Sequence, residues 1–275
     1  MIPEGNLQSN VDRFNGFADN YDQHRPEAPS LVVEIISRYL ERNVELVADI
    51  GCGTGLSTFI WENAARQIVG IEPNPDMRGK AQHKLEIAGT TMAETISFKS
   101  GFSNNLPFED GTVDVITCSQ SFHWMDPEST LQEAGRVLAQ GGVFAAFDCD
   151  WPPVLQWQIE QAYTELITKA DTLLEQEAPV EQQAHKWSKD QHLANLHRSG
   201  QFRYTREIVF HNREQCDAAR YTGLALSQGG IQSLFKLGNR ALDDDIARFV
   251  KLVENHFQGR TLDILFSYRM RLGIK

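Results

Sequence analysis

The chain has 275 residues, 41% of them hydrophobic, which suits one large domain or a core with a smaller appended part. Its 26 basic residues against 37 acidic ones leave a net charge of −11, and such a surface repels phosphate backbones, so broad nucleic-acid binding is not expected. No segment approaches the ~20 apolar residues of a membrane span, and residues 1–10 lack the charged start and apolar stretch of a secretory signal; a cytoplasmic location is expected.

In chain order, residues 1–29 form a polar arm whose Phe14, Phe17 and Tyr21 have helical spacing; Pro26 and Pro29 end it. Residues 30–42 read as a helix. From residue 44 short apolar runs alternate with helical stretches. Strands are expected over 44–50, 67–71, 95–99, 113–119 and 143–149, and helices over 56–65, from Asn74 to about residue 88, and from Asp126 to Gly141. Asn74-Pro75-Asp76 and Asp126-Pro127-Glu128 each supply an N-cap, a proline at the first helical position and an acid in the first turn. This alternation implies an α/β fold: a Rossmann-like, doubly wound, mostly parallel sheet over residues 30–150. After Trp151-Pro152-Pro153 the alternation stops. Helices are expected over 156–177 and 188–199 and between 213 and 257, with strands over 202–210 and 261–272. Residues 151–275 thus read as a helical cap at the sheet's C-terminal edge plus two last strands.

The four cysteines, Cys52, Cys118, Cys149 and Cys216, show no CxxC spacing and read as reduced core residues, and the triplet Asp243-Asp244-Asp245 reads as a helix start. No metal site is expected.

VADIGCGTG ends the first strand and opens the next element, at the edge where open α/β sheets bind ligands. Gly51, Gly53 and Gly55 permit positive φ and close backbone approach. The same pattern fits a dinucleotide site or a plain tight turn. Leu56 stands where GxGxxG would need glycine, so the tighter GxGxG loop suits a ligand without a pyrophosphate. Glu72 ends the second strand, placed to accept hydrogen bonds from ribose hydroxyls.

With these motifs the chain resembles the class I S-adenosylmethionine-dependent methyltransferases. The likeness rests on Asp49, the GCGTG loop, Glu72, LPF at 106–108, DGTVDVITCSQSFHW and GRVLAQGGVF. Within that superfamily it is most similar to the small-molecule group that includes trans-aconitate methyltransferases, whose arm, like FNGFADNYDQHRPEAP here, folds over the cofactor. The resemblance implies that Gly51 and Gly53 lie against the methionine part of S-adenosylmethionine, that Glu72 holds the ribose, and that Asp49, Cys52 and Pro73 also bind the cofactor. It implies further that Phe102 and Ser103 face the adenine, that Gln120 lies near the sulfonium, and that Tyr21 and Arg25 reach the cofactor from the arm. Many relatives carry an acid where Phe102 or Asn104 stands here.

The acceptor would then be a small molecule. Methyl transfer by in-line displacement demands alignment of two reactants and exclusion of water, and needs a base only if the nucleophile must lose a proton. His123 is the one base named, with packing against the strand end as its equal alternative. His123, Trp124, Trp151 and Tyr221 are the substrate-side candidates. Two other readings stay open: a non-catalytic cofactor-binding regulator and a nicotinamide-dependent oxidoreductase. Arm exchange between subunits would give a homo-oligomer. The acceptor atom is not legible.

Overall fold

Why the expected strands become one sheet is visible in their burial. All of β4 (Val113–Ser119) but its last residue is buried, as are the last four residues of β1 (Val44–Ile50), as expected of parallel strands covered on both faces. In this computed structural model, which describes residues 3–177 and 184–275, these strands pair in parallel with β2 (Ala65–Ile71), β3 (Ile96–Lys99) and β5 (Leu138–Val154). The arm contributes α1 (Gln8–Asp12) and α2 (Ala18–His24), followed by α3 (Leu31–Leu40). Helices α4 (Pro75–Ala88), α5 (Thr90–Thr95) and α6 (Pro127–Val137) lie between strands. The chain then runs through α7 (Trp157–Glu177), α8 (His192–Ser199), β6 (Tyr204–Cys216), α9 (Ala218–Leu226), α10 (Gly229–Lys236), α11 (Asp243–Phe257) and β7 (Leu262–Ile274). The spatial order is β3-β2-β1-β4-β5-β7-β6, with β7 antiparallel to both its neighbours.

Local chemistry fixes several boundaries as the sequence implied. The Asn74 side chain accepts from the amides of Asp76 and Met77, and Asp126 accepts from Ser129, so both helices start at their prolines. Asp243, Asp244 and Asp245 form the first turn of α11.

Elsewhere the structure corrects the sequence reading. The helix expected over 56–65 is only a 3-10 turn, Phe59–Trp61. The hydroxyls of Ser57 and Thr58 are drawn to Asp49, each at 2.7 Å, and β2 begins at Ala65, which leaves little chain for a helix. The arm helix is split in two, and Gly16, at φ 76°, lies in the break. Helix α6 stops at Val137, ahead of Gly141-Gly142, because β5 already begins at Leu138. β6 runs six residues beyond the expected end at Phe210, since β7 offers it a partner along its whole length.

The helical additions also divide. One continuous apolar core joins α3, the sheet, α7, α9, α10 and α11 through Ile36, Phe147, Tyr163, Leu224, Phe249 and Phe257. Helix α8 packs against α6, and its Leu196 joins the core on the sheet's other face. Among the described residues no helix is long and apolar enough to cross a membrane.

Candidate functional site

The glycine loop follows β1 at the point where the strand order reverses, and its backbone is pinned from beneath. Asp49 is fully buried; its carboxylate accepts from Ser57, Thr58 and Thr117 at 2.7–2.8 Å. It therefore fastens the loop and does not line the cavity above it, which corrects its expected contact role. Gly51 and Gly53 have φ of 66° and 57°. A Cβ on Gly51 would lie 2.7 Å from Ser121 Cβ, and one on Gly53 would meet only Met77 Cε, at 3.3 Å.

Above the loop lies a cavity of about 960 Å³. The expected residues Tyr21, Gly51, Cys52, Gly53, Glu72, Pro73, Phe102, Ser103 and Gln120 all line it. Glu72 is buried and does two things at once: its carboxylate accepts the Gly53 amide at 2.9 Å and the Asn74 amide at 2.8 Å. Burial pushes its pKa up to about 7, against those two amides and Arg78, which favour the charged form. A carboxylate has about four acceptor positions, so capacity remains for a ligand's hydroxyls. The Ser103 hydroxyl shares a hydrogen bond with Thr130 at 2.7 Å and keeps acceptor capacity for the adenine contact the resemblance implied.

The arm roofs this cavity. Asn10 Nδ2 donates to the Trp124 carbonyl at 2.9 Å, Asn74 Nδ2 to the Val11 carbonyl at 2.9 Å, and the Gly16 amide to Asp76 at 2.8 Å. Lys80 and Lys84 pair with Asp19 and Asp22, both at 2.7 Å. Phe14 stacks on Phe17 at 5.9 Å and meets Trp124 edge-on at 6.1 Å.

A second cavity, about 670 Å³, adjoins the first and shares Phe14, Tyr21, Gln120 and Trp124 with it. Gln120 stands between them with φ 49°, unusual for a residue with a side chain, and its Oε1 accepts from Trp151 Nε1 at 3.2 Å. His123, Trp124 and Trp151 line this second space as expected. Two expectations fail here. Arg25 lines the second cavity only, its guanidinium donating to the Ser227 carbonyl and Gln228 Oε1 and lying 4.8 Å from the Trp151 ring centroid. Tyr221 lines neither cavity: it is fully buried against Tyr163 and Phe257, with its hydroxyl donating to the Pro153 carbonyl.

Residues 48–146 match the methyltransferase domain family. That stretch is thus similar to a methyltransferase domain. A Mycobacterium tuberculosis protein named a methyltransferase is 29% identical over 129 residues, 47% of this chain and 49% of that protein. A Saccharomyces cerevisiae protein assigned as an S-adenosylmethionine-dependent methyltransferase is 29% identical over 132 residues, 46% of this chain and 43% of that one. The chain spans about half the length of the curated relatives it matches. The fold continues further than these sequence matches. A solved structure from Anaeromyxobacter dehalogenans, assigned as a type II methyltransferase, superposes with a TM-score of 0.66 at 16% identity, over 91% of this chain and 97% of that one. The YcgJ protein of Bacillus subtilis does so with a TM-score of 0.54 at 19% identity, over 90% and 99%.

Beside the second cavity lies a buried ionic group, of which sequence reasoning had named only His123. His123 Nδ1 is 3.4 Å from Asp148 Oδ1, and His192 Nε2 is 3.9 Å from Asp148 Oδ2. Burial pushes both histidines down to about 4, leaving the rings neutral near pH 7. Asp148 stays ionised well below the usual carboxylate range, because His123 and Lys189 outweigh the effect of burial. The ligand atoms of His123, Asp148 and His192 lie within 4.8 Å of one another, a spacing a metal would accept. However, Lys189 Nζ sits 2.8 Å and Arg271 Nη1 3.6 Å from the same carboxylate. A dication there would face two fixed positive charges in a poorly solvated site, so the carboxylate is better read as the counter-charge of those side chains. The signal was weak because Asp148 lies in an apolar strand and its partners come from two separate turns, α8 and β7.

Proposed function

We propose that the chain is an S-adenosylmethionine-dependent methyltransferase acting on a small molecule, with the cofactor in the glycine-loop cavity and the acceptor in the adjoining one. The carrying observation is the pair of cavities meeting at Gln120, one walled by the glycine loop and Glu72, the other by His123 and aromatic rings. The residues fit such a cofactor: Gly51 leaves no room for a side chain of its own, Gly53 lines the cavity without one, and Glu72 is an acceptor in the same cradle. The kinship with trans-aconitate and related enzymes rests on the motifs and the arm. When bound, S-adenosylmethionine supplies an electrophilic methyl group on a sulfonium. The chain's own part is positioning and exclusion of water, through the arm above and Gln120 and Trp151 between the cavities.

The arm prediction tests this reading. Hydrogen exchange in residues 8–24 and at Gly51 to Gly55 slows when S-adenosylhomocysteine is added, because the ligand fills the cavity beneath the arm. Unchanged exchange at both places would remove this cavity as the cofactor site.

His123 is the proposed base. Asp148, beside Nδ1, favours the tautomer protonated there, which leaves Nε2 as the ring's free acceptor. Sequence alone suggests a rate that rises through a pKa of ~6.5. The structure replaces this. With its pKa lowered to about 4, His123 is already neutral at about pH 5.5, so turnover at saturating cofactor stays flat from there to about pH 8.5. His123→Gln lowers kcat by roughly a hundredfold and leaves cofactor affinity nearly intact. Wild-type turnover in that variant would end the base role.

A further inference from the structure

Strand β6 ends the sheet, and its outer edge is unguarded. It is 13 residues long and pairs with β7 from Tyr204↔Ile274 to Cys216↔Leu262 without a shift of register. Native proteins blunt such edges with short strands, prolines, bulges or lysines; YTREIVFHNREQC has none of these. The register fixes which backbone groups face out. The Arg203 amide donates to the Ile274 carbonyl, and the Lys275 amide to the Gly142 carbonyl in β5, so even-numbered residues of β7 turn to β6 and odd-numbered ones to β5. Carried through the pairing, this turns the backbone groups of Thr205, Glu207, Val209, His211, Arg213 and Gln215 away from the sheet. Among the described residues, only the Gln215 carbonyl of that set has a hydrogen-bond partner, the Arg220 guanidinium. Val209, 52% exposed, stands at the middle of the edge.

The order of charges along the edge says what fits it. A second β6 laid antiparallel and centred on Phe210 sets Arg206 opposite Glu214 and Glu207 opposite Arg213, each twice by symmetry. The outward backbone groups then face one another in pairs, Thr205 with Gln215, Glu207 with Arg213 and Val209 with His211. Neighbouring registers lose the match. Centred on Val209, Arg206 meets Asn212 and Glu207 meets His211; centred on His211, they meet Cys216 and Gln215. The charges are also within reach of a partner. Arg206 is exposed, and its guanidinium donates to the Tyr39 hydroxyl, with no acid paired to it among the described residues. The Arg213 side chain is exposed beside Asp263. Glu214 and Glu207 each hold partners in their own chain, Arg220 and Asn212 for the first and Arg269 and Arg271 for the second, and a carboxylate with two such bonds keeps acceptor positions.

We propose that the β6 edge binds a second copy of this chain: the two β6 strands pair antiparallel about a twofold axis at Phe210 and join two seven-stranded sheets into one. Because both copies use the same patch, the contact closes at a dimer and leaves no further β6 edge open. It also assigns self-association to β6 and not to the arm, whose bonds to Trp124 and Lys80 lie within its own chain. Neither cavity includes a β6 residue, so the proposal stands apart from the reaction. Sedimentation velocity of the full chain from about 1 to 200 µM tests it and should show monomer converting to twice the chain mass. Arg206→Glu sets two carboxylates face to face at each end of the contact, and Glu214→Arg sets two guanidinium groups there. Each variant alone should raise the dimer dissociation constant about tenfold or more, while an equimolar mixture of the two should recover the dimer as a mixed pair, since both ends then carry opposite charges. Thermal melts of the dilute variants check that each is folded. A chain monomeric throughout the range, a dimer unaffected by Arg206→Glu, or two folded variants that stay apart when mixed would overturn the proposal.

Discussion

Glu72→Ala raises the dissociation constant for S-adenosylmethionine by about ten- to a few hundred-fold. Charge-assisted hydrogen bonds contribute roughly 1.5 to 3 kcal/mol each, and water recovers part of that in the variant. The structure adds a second loss. The same carboxylate accepts the Gly53 and Asn74 amides, so its removal also frees the loop that the cofactor needs preformed. Glu72→Gln keeps an acceptor for one of these amides and falls between wild type and alanine. Calorimetric titration of the three proteins decides the matter; an alanine variant with wild-type affinity would mean that Glu72 only braces the loop.

The glycine loop gives the other large effect, and its two glycines fail differently. Gly51→Ala forces a side chain onto a φ of 66° and places its Cβ 2.7 Å from Ser121 Cβ and 2.8 Å from Met125 Cε. Ser121 cannot easily retreat, because its hydroxyl donates to the Ile50 carbonyl at 2.7 Å. Left-handed strain costs of order 1 to 3 kcal/mol, and overpacking about as much again, so the melting temperature falls by several degrees or more. Gly53 faces the cavity, with Met77 Cε as its nearest neighbour at 3.3 Å. Gly53→Val carries the same left-handed strain, at φ 57°, so its melting temperature also falls, but its side chain in addition fills the cofactor space and abolishes cofactor binding. Thermal melts with and without S-adenosylhomocysteine separate the two. A normal ligand-induced shift in Gly53→Val would show that the loop is only structural.

What the sequence carried, and what it did not, follows from the range of each interaction. The helix starts at Pro75 and Pro127 were legible because their caps lie within three residues. The cavity residues Gly51, Gly53, Glu72 and Gln120 were legible because strand ends in this fold point to one edge. The lengths of β5 and β6 were not, since each is set by a partner far along the chain. Side-chain direction was equally hidden. Asp49 faces inward to Ser57, Thr58 and Thr117, and Tyr221 faces the core, although both carry groups suited to a ligand. Arg25 was placed in the correct region and the wrong cavity, because Ser227 and Gln228, some two hundred residues away, hold its guanidinium. Lys186 and Lys189 have no periodicity that marks them; only the fold brings them to Arg13 and His123.

The central claim is that the glycine-loop cavity holds S-adenosylmethionine and not a dinucleotide. Isothermal titration of the unmodified chain with S-adenosylhomocysteine, and separately with NADH, tests it most directly. The account predicts saturable binding of S-adenosylhomocysteine, one per chain, and no heat of binding with NADH. Binding of NADH with none of S-adenosylhomocysteine would contradict it.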